Sequence, residues 1–297
     1  MDLTPNSDQS ALQTATADWC RDNMPLDGAR NRPEHLWRDL ADMGWTGMTA
    51  PGMGLDHATE ALVFAELGRE LAPVGLLSTA VAARWIGGDA RVALAIPHEK
   101  LTRVFDPQDC ASALSIWGNC AGLLMLPASL DTETGLDLSA PYATIALELV
   151  PNPLDDPRAA LHLQLLAAAY GVGVADAARD MAADYAKIRE QFDRPIGWFQ
   201  SLKHICADMA VRCEVARSQL YYAACALDAG GDDAAFHVAA AKRLADSSAL
   251  DNGRANIQVH GGIGMTDEAV PHLCLKRAHL LSFIAPVDTK DLLESAA

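Results

Sequence analysis

Two segments carry side chains able to do more than hold helices together. The first is Arg189-Glu190-Gln191-Phe192-Asp193-Arg194-Pro195-Ile196-Gly197-Trp198-Phe199-Gln200; the second is Gln258-Val259-His260-Gly261-Gly262-Ile263-Gly264-Met265-Thr266. A guanidinium is a planar, bidentate donor for anionic oxygens. A glutamine amide adds neutral hydrogen bonds, and adjacent glycines admit a close backbone approach. Taken singly, each segment also fits a plainer role. Pro195 and Arg189 suit a turn between helices, with the cation at a helix C-terminal end; the glycines suit a C-cap. No metal site is expected. The cysteines at 20, 110, 120, 206, 213, 225 and 274 form no C-x-x-C pattern, and His204, His237 and His260 lie on helical stretches without ligand-spaced partners.

The scaffold that must position these segments falls into three zones, read as domains 1–88, 89–152 and 153–297. In the first, Asp8 to Cys20, Pro33 to Met43 and Ala58 to Trp85 read as helices, the last interrupted by Pro73. A turn-rich loop, Gly44 to Gly54, lies between the second and third. The middle zone changes to short apolar runs: Arg91 to Pro97, Leu101 to Phe105, Ala111 to Trp117, Leu123 to Leu126 and Ala143 to Val150. These are strand signals, predicting a small antiparallel β domain of four or five strands. The third zone returns to helical periodicity. Leu202, Cys206, Met209, Cys213, Ala216, Leu220, Ala224 and Leu227 step by threes and fours. Helices over Pro157 to Phe192, Trp198 to Asp228, about Asp232 to His260 and Pro271 to Phe283, with short connections, predict a four-helix bundle. The fold class is mainly α with a small β domain.

The chain has 297 residues, 50% of them apolar, and a formal charge of −16. Its length supplies a large core without disulfides or metals. Its charge opposes nucleic acid or an anionic membrane as a main partner. An odd cysteine count suits unpaired thiols in a reducing compartment. Met1 is followed by Asp2, Pro5 and Asp8 rather than by a basic and then apolar stretch, and no apolar run is read as membrane-spanning. A cytoplasmic protein is expected.

In their order and separation, the two segments resemble the C-terminal bundle of the acyl-CoA dehydrogenase family. The family pattern is R-x-Q-F-G-x-P-I, a helix with H-x-x-A-D-M, then Q-x-x-G-G-x-G. Here stand Arg189-Glu190-Gln191-Phe192, Pro195-Ile196, His204-Ile205-Cys206-Ala207-Asp208-Met209 and Gln258 to Gly264. Gly44 to Gly54 and Glu66-Leu67-Gly68-Arg69-Glu70 resemble, more weakly, the family's N-terminal helical domain. The resemblance implies FAD, with Arg189, Gln191, Phe192, Gln200, Gln258, Gly261 and Gly262 at the ADP end of a cofactor held by a neighbouring subunit. A pyrophosphate suits the Arg189 fork. Asp193, where the family usually has Gly, is electrostatically unwelcome there, although Arg194 is beside it.

Other family features are missing. Family enzymes abstract an α-proton with a carboxylate while the β-hydride passes to flavin. The usual base is the Glu of an E-G-T triplet, and counting without gaps from Gln258 puts that triplet on Ala285-Pro286-Val287. Some members carry the acid on the helix before R-x-Q-F, but the corresponding stretch, Ala159 to Ala167, has His162 and Gln164 and no carboxylate. The L-T-E-P-like strand and W-I-T-N-like segment that hold the flavin ring are not recognisable, Trp117-Gly118-Asn119 being a faint echo. The resemblance therefore implies the shortened, non-catalytic subunit of a heteromeric α2β2 acyl-CoA dehydrogenase. It would share FAD with a second, catalytic subunit acting on an acyl-CoA, with bulky steroid-like thioesters as the substrate class. Two other readings stand beside it. One is a self-sufficient dehydrogenase using Asp288, Glu294 or another acid; the other is a scaffold or CoA-ligand binder without flavin.

Overall fold

The computed structural model describes residues 3–118, 120–146, 152–288 and 292. Four helices come first: α1 (Ser7–Asn23), α2 (Leu36–Asp42), α3 (His57–Arg69) and α4 (Gly75–Trp85). A six-stranded sheet follows, of β1 (Ala93–His98), β2 (Leu101–Phe105), β3 (Ser112–Trp117), β4 (Cys120–Met125), β5 (Tyr142–Ala146) and β6 (Asn152–Pro153). Then come α5 (Arg158–Ile188), a hairpin of β7 (Glu190–Gln191) and β8 (Arg194–Pro195), α6 (Gln200–Ala229), α7 (Ala234–His260) and α8 (Pro271–Leu281).

The helix starts and stops have local causes. Asn6 caps α1 in a reciprocal capping box with Gln9. Asp56 caps α3 by accepting from the Thr59 amide, while Asp228 of α6 accepts from the His57 and Ala58 amides at 2.9 Å each. Gly230, at φ +66°, ends α6.

Helix α5 is the axis of the molecule, in contact with α3, α6, α7 and α8. It is long and apolar enough to cross a membrane by length and composition, contrary to the sequence expectation. Its apolar surface is instead the protein core: Leu163, Leu165, Leu166, Tyr170, Val172 and Val174 are buried. Small residues let neighbours approach it. A Cβ on Gly173 would run into the Ala65 carbonyl of α3, and one on Gly68 into the Tyr170 carbonyl of α5. The α6 stripe is seated as its spacing implied, with Met209, Cys213, Ala216, Leu220, Ala224 and Leu227 buried.

The sheet order is β5-β2-β1-β3-β4-β6. All neighbours run antiparallel except β1 and β3, paired in parallel as Ala93↔Ala113 to Ala95↔Ser115. The expectation of an all-antiparallel sheet is corrected here. β2 turns back on β1 in a hairpin and then pairs β5, so β3 enters on the other side of β1 in the same direction. Fully buried Arg277 of α8 fixes the sheet zone to the bundle. It donates to Asp137 Oδ2 at 2.6 Å and the Ala72 carbonyl at 2.8 Å, and also bonds the Tyr170 hydroxyl.

Candidate functional site

Two regions at opposite ends of α5 carry the site residues. At its C-terminal end, Arg189 leaves the helix in extended conformation and accepts from the Ile196 amide at 2.8 Å, closing the β7–β8 hairpin. The tip residues Phe192 and Asp193 have φ of +55° and +61°. Two left-handed residues make the turn that a tight hairpin requires. The helix read as far as Phe192 thus stops at Ile188, and Asp193 departs from Gly at a position where Gly relieves backbone strain. Phe192 is exposed and meets Phe199 edge-on at 6.0 Å; Arg194 and Lys203 lie over the Trp198 ring at 5.3 and 5.9 Å.

The last turn of α7 is brought to the same end. Tyr185 of α5 stacks on His260 of α7 with centroids 4.1 Å apart, and the Tyr185 carbonyl accepts from the Arg189 amide. His260 is thus a ring platform joining the two motifs. Burial holds its imidazole below the ordinary histidine range. Arg189, Gln191, Gln200, Gln258, Gly261 and Gly262 are all exposed. Gln258 borders a 320 Å³ depression with Ile205, Asp208, Arg212, Arg254 and Ala255.

The glycines differ from one another. Gly261 has φ +66° and ψ −146°, a conformation reserved for glycine. Gly264 is needed for packing, since a Cβ would press on His260 and Ile257. Gly262 has neither need: its backbone is ordinary and a Cβ would meet nothing within 4 Å. Neither backbone conformation nor packing within this chain calls for glycine at 262. Exposed donors beside a glycine open to approach fit the ADP end of FAD.

At the N-terminal end of α5 lies a cavity of about 880 Å³ between the sheet, the first turns of α5 and α7, and the segment after α8. Its walls are mainly apolar, with Leu94, Ile96, Phe105, Ile116, Leu163, Phe236 and Phe283 among them. Ala285 lines it, 9% exposed and at φ +47°. The Gln164 amide donates to the Ala285 carbonyl at 3.2 Å. The two stretches where the resemblance looks for a base, the start of α5 and the segment after α8, thus meet across this wall in a neutral bond. Among the described wall residues Asp288 is the one carboxylate, and it is exposed. Glu294 and Asn119 lie outside the described residues. His162, on the same helix, points away from the cavity into the helical core.

The chain matches two family models, "Acyl-CoA dehydrogenase, N-terminal domain" over residues 6–90 and "Acyl-CoA dehydrogenase, C-terminal domain" over residues 159–285. It is 34% identical over 272 residues to "Acyl-CoA dehydrogenase IpdE2" of Mycobacterium tuberculosis, covering 84% of this chain and 82% of that protein. Among solved structures, it superposes on the "Tcur3481-Tcur3483 steroid ACAD" with TM-score 0.79 and 25% identity, covering 97% and 96% of the two chains. It superposes on the ChsE4-ChsE5 complex of M. tuberculosis with TM-score 0.76 and 21% identity, covering 100% and 98%. The protein belongs to the acyl-CoA dehydrogenase family and has that family's fold, helices before a small sheet and a helical bundle after it. Membership implies FAD and oxidoreductase chemistry.

Proposed function

We propose that this chain is the non-catalytic subunit of a heteromeric acyl-CoA dehydrogenase. In this reading it closes the ADP end of a FAD whose ring, catalytic Glu and CoA site belong mainly to a catalytic partner. The observation that carries the proposal is the length of α5. From Gln164 at the cavity to Ile188 beside Arg189 is about 36 Å at ~1.5 Å per residue, further than one dinucleotide extends. A cofactor held at Arg189 would not reach this chain's own cavity, which supports a site shared with a neighbouring subunit.

Three features support this. Ile188, Phe192, Trp198 and Met265 are exposed apolar side chains around the same end, as a subunit interface requires. Gly262 is free of demands from its own chain. Ala285 stands where the resemblance puts the usual base, and the stretch Ala159 to Ala167 carries no carboxylate. When bound, FAD would supply the hydride-accepting chemistry that the family uses on an acyl-CoA. Arg189 and Gln258 would hold its phosphates and ribose, and Gly262 would let them approach. The seven unpaired thiols suit a reducing compartment such as the cytoplasm, and the assembly would be α2β2. The likeness to one solved structure titled a steroid ACAD supports steroid-like acyl groups as the substrate class.

Arg189→Ala and Gly262→Val, introduced into the complex co-produced with its partner, test the proposal. Loss of a charge-assisted bond worth about 1.5–3 kcal/mol should weaken FAD binding at least tenfold, while the thermal midpoint of the lone chain is unchanged. Unaltered flavin affinity in both variants would overturn it. Asp288 at the cavity favours a second reading, a self-sufficient enzyme, which requires Asp288→Ala to abolish turnover.

A further inference from the structure

The fully buried carboxylate of Glu60 is shared among several elements. His162 Nε2 of α5 lies 2.6 Å from Glu60 Oε2, His57 Nδ1 lies 3.5 Å from the same oxygen, and the Thr49 hydroxyl is 3.3 and 3.4 Å from the two oxygens. The other ring nitrogen of His162, Nδ1, lies 3.1 Å from the indole Nε1 of Trp85, at the end of α4. An indole N–H only donates. Nδ1 therefore carries a lone pair, and the single proton of the ring sits on Nε2, donated to Glu60. The indole fixes the polarity of the whole chain, Trp85 to His162 to Glu60.

That polarity decides between two uses of the cluster. His57, Glu60 and His162 offer three ligand atoms within 4.8 Å of one another, a set suited to a divalent transition metal. A metal on Nε2 would leave the proton of the neutral ring on Nδ1, facing the indole N–H. Metal-bound histidines instead donate that proton to an acceptor. An imidazolium, protonated on both nitrogens, meets the same conflict.

We propose that His162 is a pH-sensitive latch between the N-terminal helices and the cavity. Its neutral ring pins the first turns of α5, which carry the wall residues Ala160, Leu163 and Gln164, to α3 and α4. Proton uptake at His162 releases that pin. The titratable and charged groups facing it are Glu60 and His57 on α3 and Arg84 on α4. Arg158, paired with Asp156, lies over Trp85, as Arg84 does, and Asp228 of α6 holds the backbone of His57. Burial pushes His162 below the ordinary histidine range against the pull of Glu60, with His57 and Arg84 adding to the depression. Burial alone would raise the Glu60 carboxyl, but the two histidines hold it at about 2. Both groups have folded values below their unfolded ones. The stability from His162 is therefore complete above about pH 6.5 and is lost as pH falls, whereas that from Glu60 is lost only below about pH 4.5.

The test is urea unfolding of the full chain between about pH 7.5 and 5, with nitrogen NMR of the histidine rings at neutral pH. His162→Gln keeps an amide donor for Glu60 but takes up no proton. Trp85→Phe removes the indole and frees Nδ1. The wild type should show His162 protonated on Nε2 alone. Its folding constant should fall, relative to His162→Gln, by up to about tenfold per pH unit below pH 6. In Trp85→Phe that fall should vanish or reverse, because an imidazolium–Glu60 pair becomes admissible. A wild-type slope in Trp85→Phe would overturn the latch, as would an Nδ1–H ring. Stoichiometric zinc binding by the wild type with loss of the Nε2 proton would overturn it as well.

Discussion

At the residue scale, what a side chain is and where it is held answer separate questions. Arg189, Gln258 and the glycines are legible by type and spacing, because a local pattern fixes both. The Gln164–Ala285 and Glu60–His162 bonds join residues 121 and 102 positions apart, and nothing local announces either. Gly262 could be singled out in sequence, but only the open space beside it separates its role from that of Gly261. Asp193 was read as an electrostatic departure, and its φ of +61° adds a conformational one. Asp193→Gly should therefore stabilise the hairpin by up to about 1 kcal/mol and tighten FAD in the complex, as measured by flavin titration. Ala285→Glu puts a carboxylate on the cavity wall. The lone chain carrying it should still show no dehydrogenation of an acyl-CoA, because in the proposed reading the groups that hold the flavin ring belong to the partner.

At the element scale, α5 explains why the two ends of the molecule belong to different sites. Its core face is made by small residues crossing α3, and Gly173→Ala would force a methyl against the Ala65 carbonyl. A loss of about 1–3 kcal/mol is expected, read from the urea midpoint. Asp176, 1% exposed, binds Arg217 at 2.5 Å, Arg179 at 2.9 Å and Arg69 at 3.8 Å, tying α5 to α6 and α3. Asp176→Ala removes the anion that all three guanidiniums share, while Arg69 and Arg179 keep Asp180, and about 1–3 kcal/mol should be lost. Helix periodicity predicted α6 well because it buries one stripe, whereas α3 and much of α5 are buried on most sides, and α5 is legible instead from its Ala-rich composition. Strand direction was not legible, since the β1–β3 pairing depends on which side of β1 remains open after the β1–β2 hairpin forms. The β7–β8 hairpin escaped for a related reason: its tip carries Phe192 and Asp193 instead of the glycine that marks such turns.

At the scale of the whole molecule, the exposed motif end and the apolar cavity end lie at opposite ends of α5, and in the proposed reading each is completed by a partner chain. The central claim is that this subunit completes a partner's flavin site and performs no proton abstraction itself. Its most direct measurement is the visible flavin spectrum and the mass of the purified chain, alone and then co-produced with a catalytic acyl-CoA dehydrogenase subunit from the same organism. Alone, the chain should be colourless; co-produced, it should join a larger assembly holding one flavin per pair of unlike subunits. A lone chain carrying stoichiometric flavin and dehydrogenating an acyl-CoA would contradict the claim and return the chemistry to Asp288.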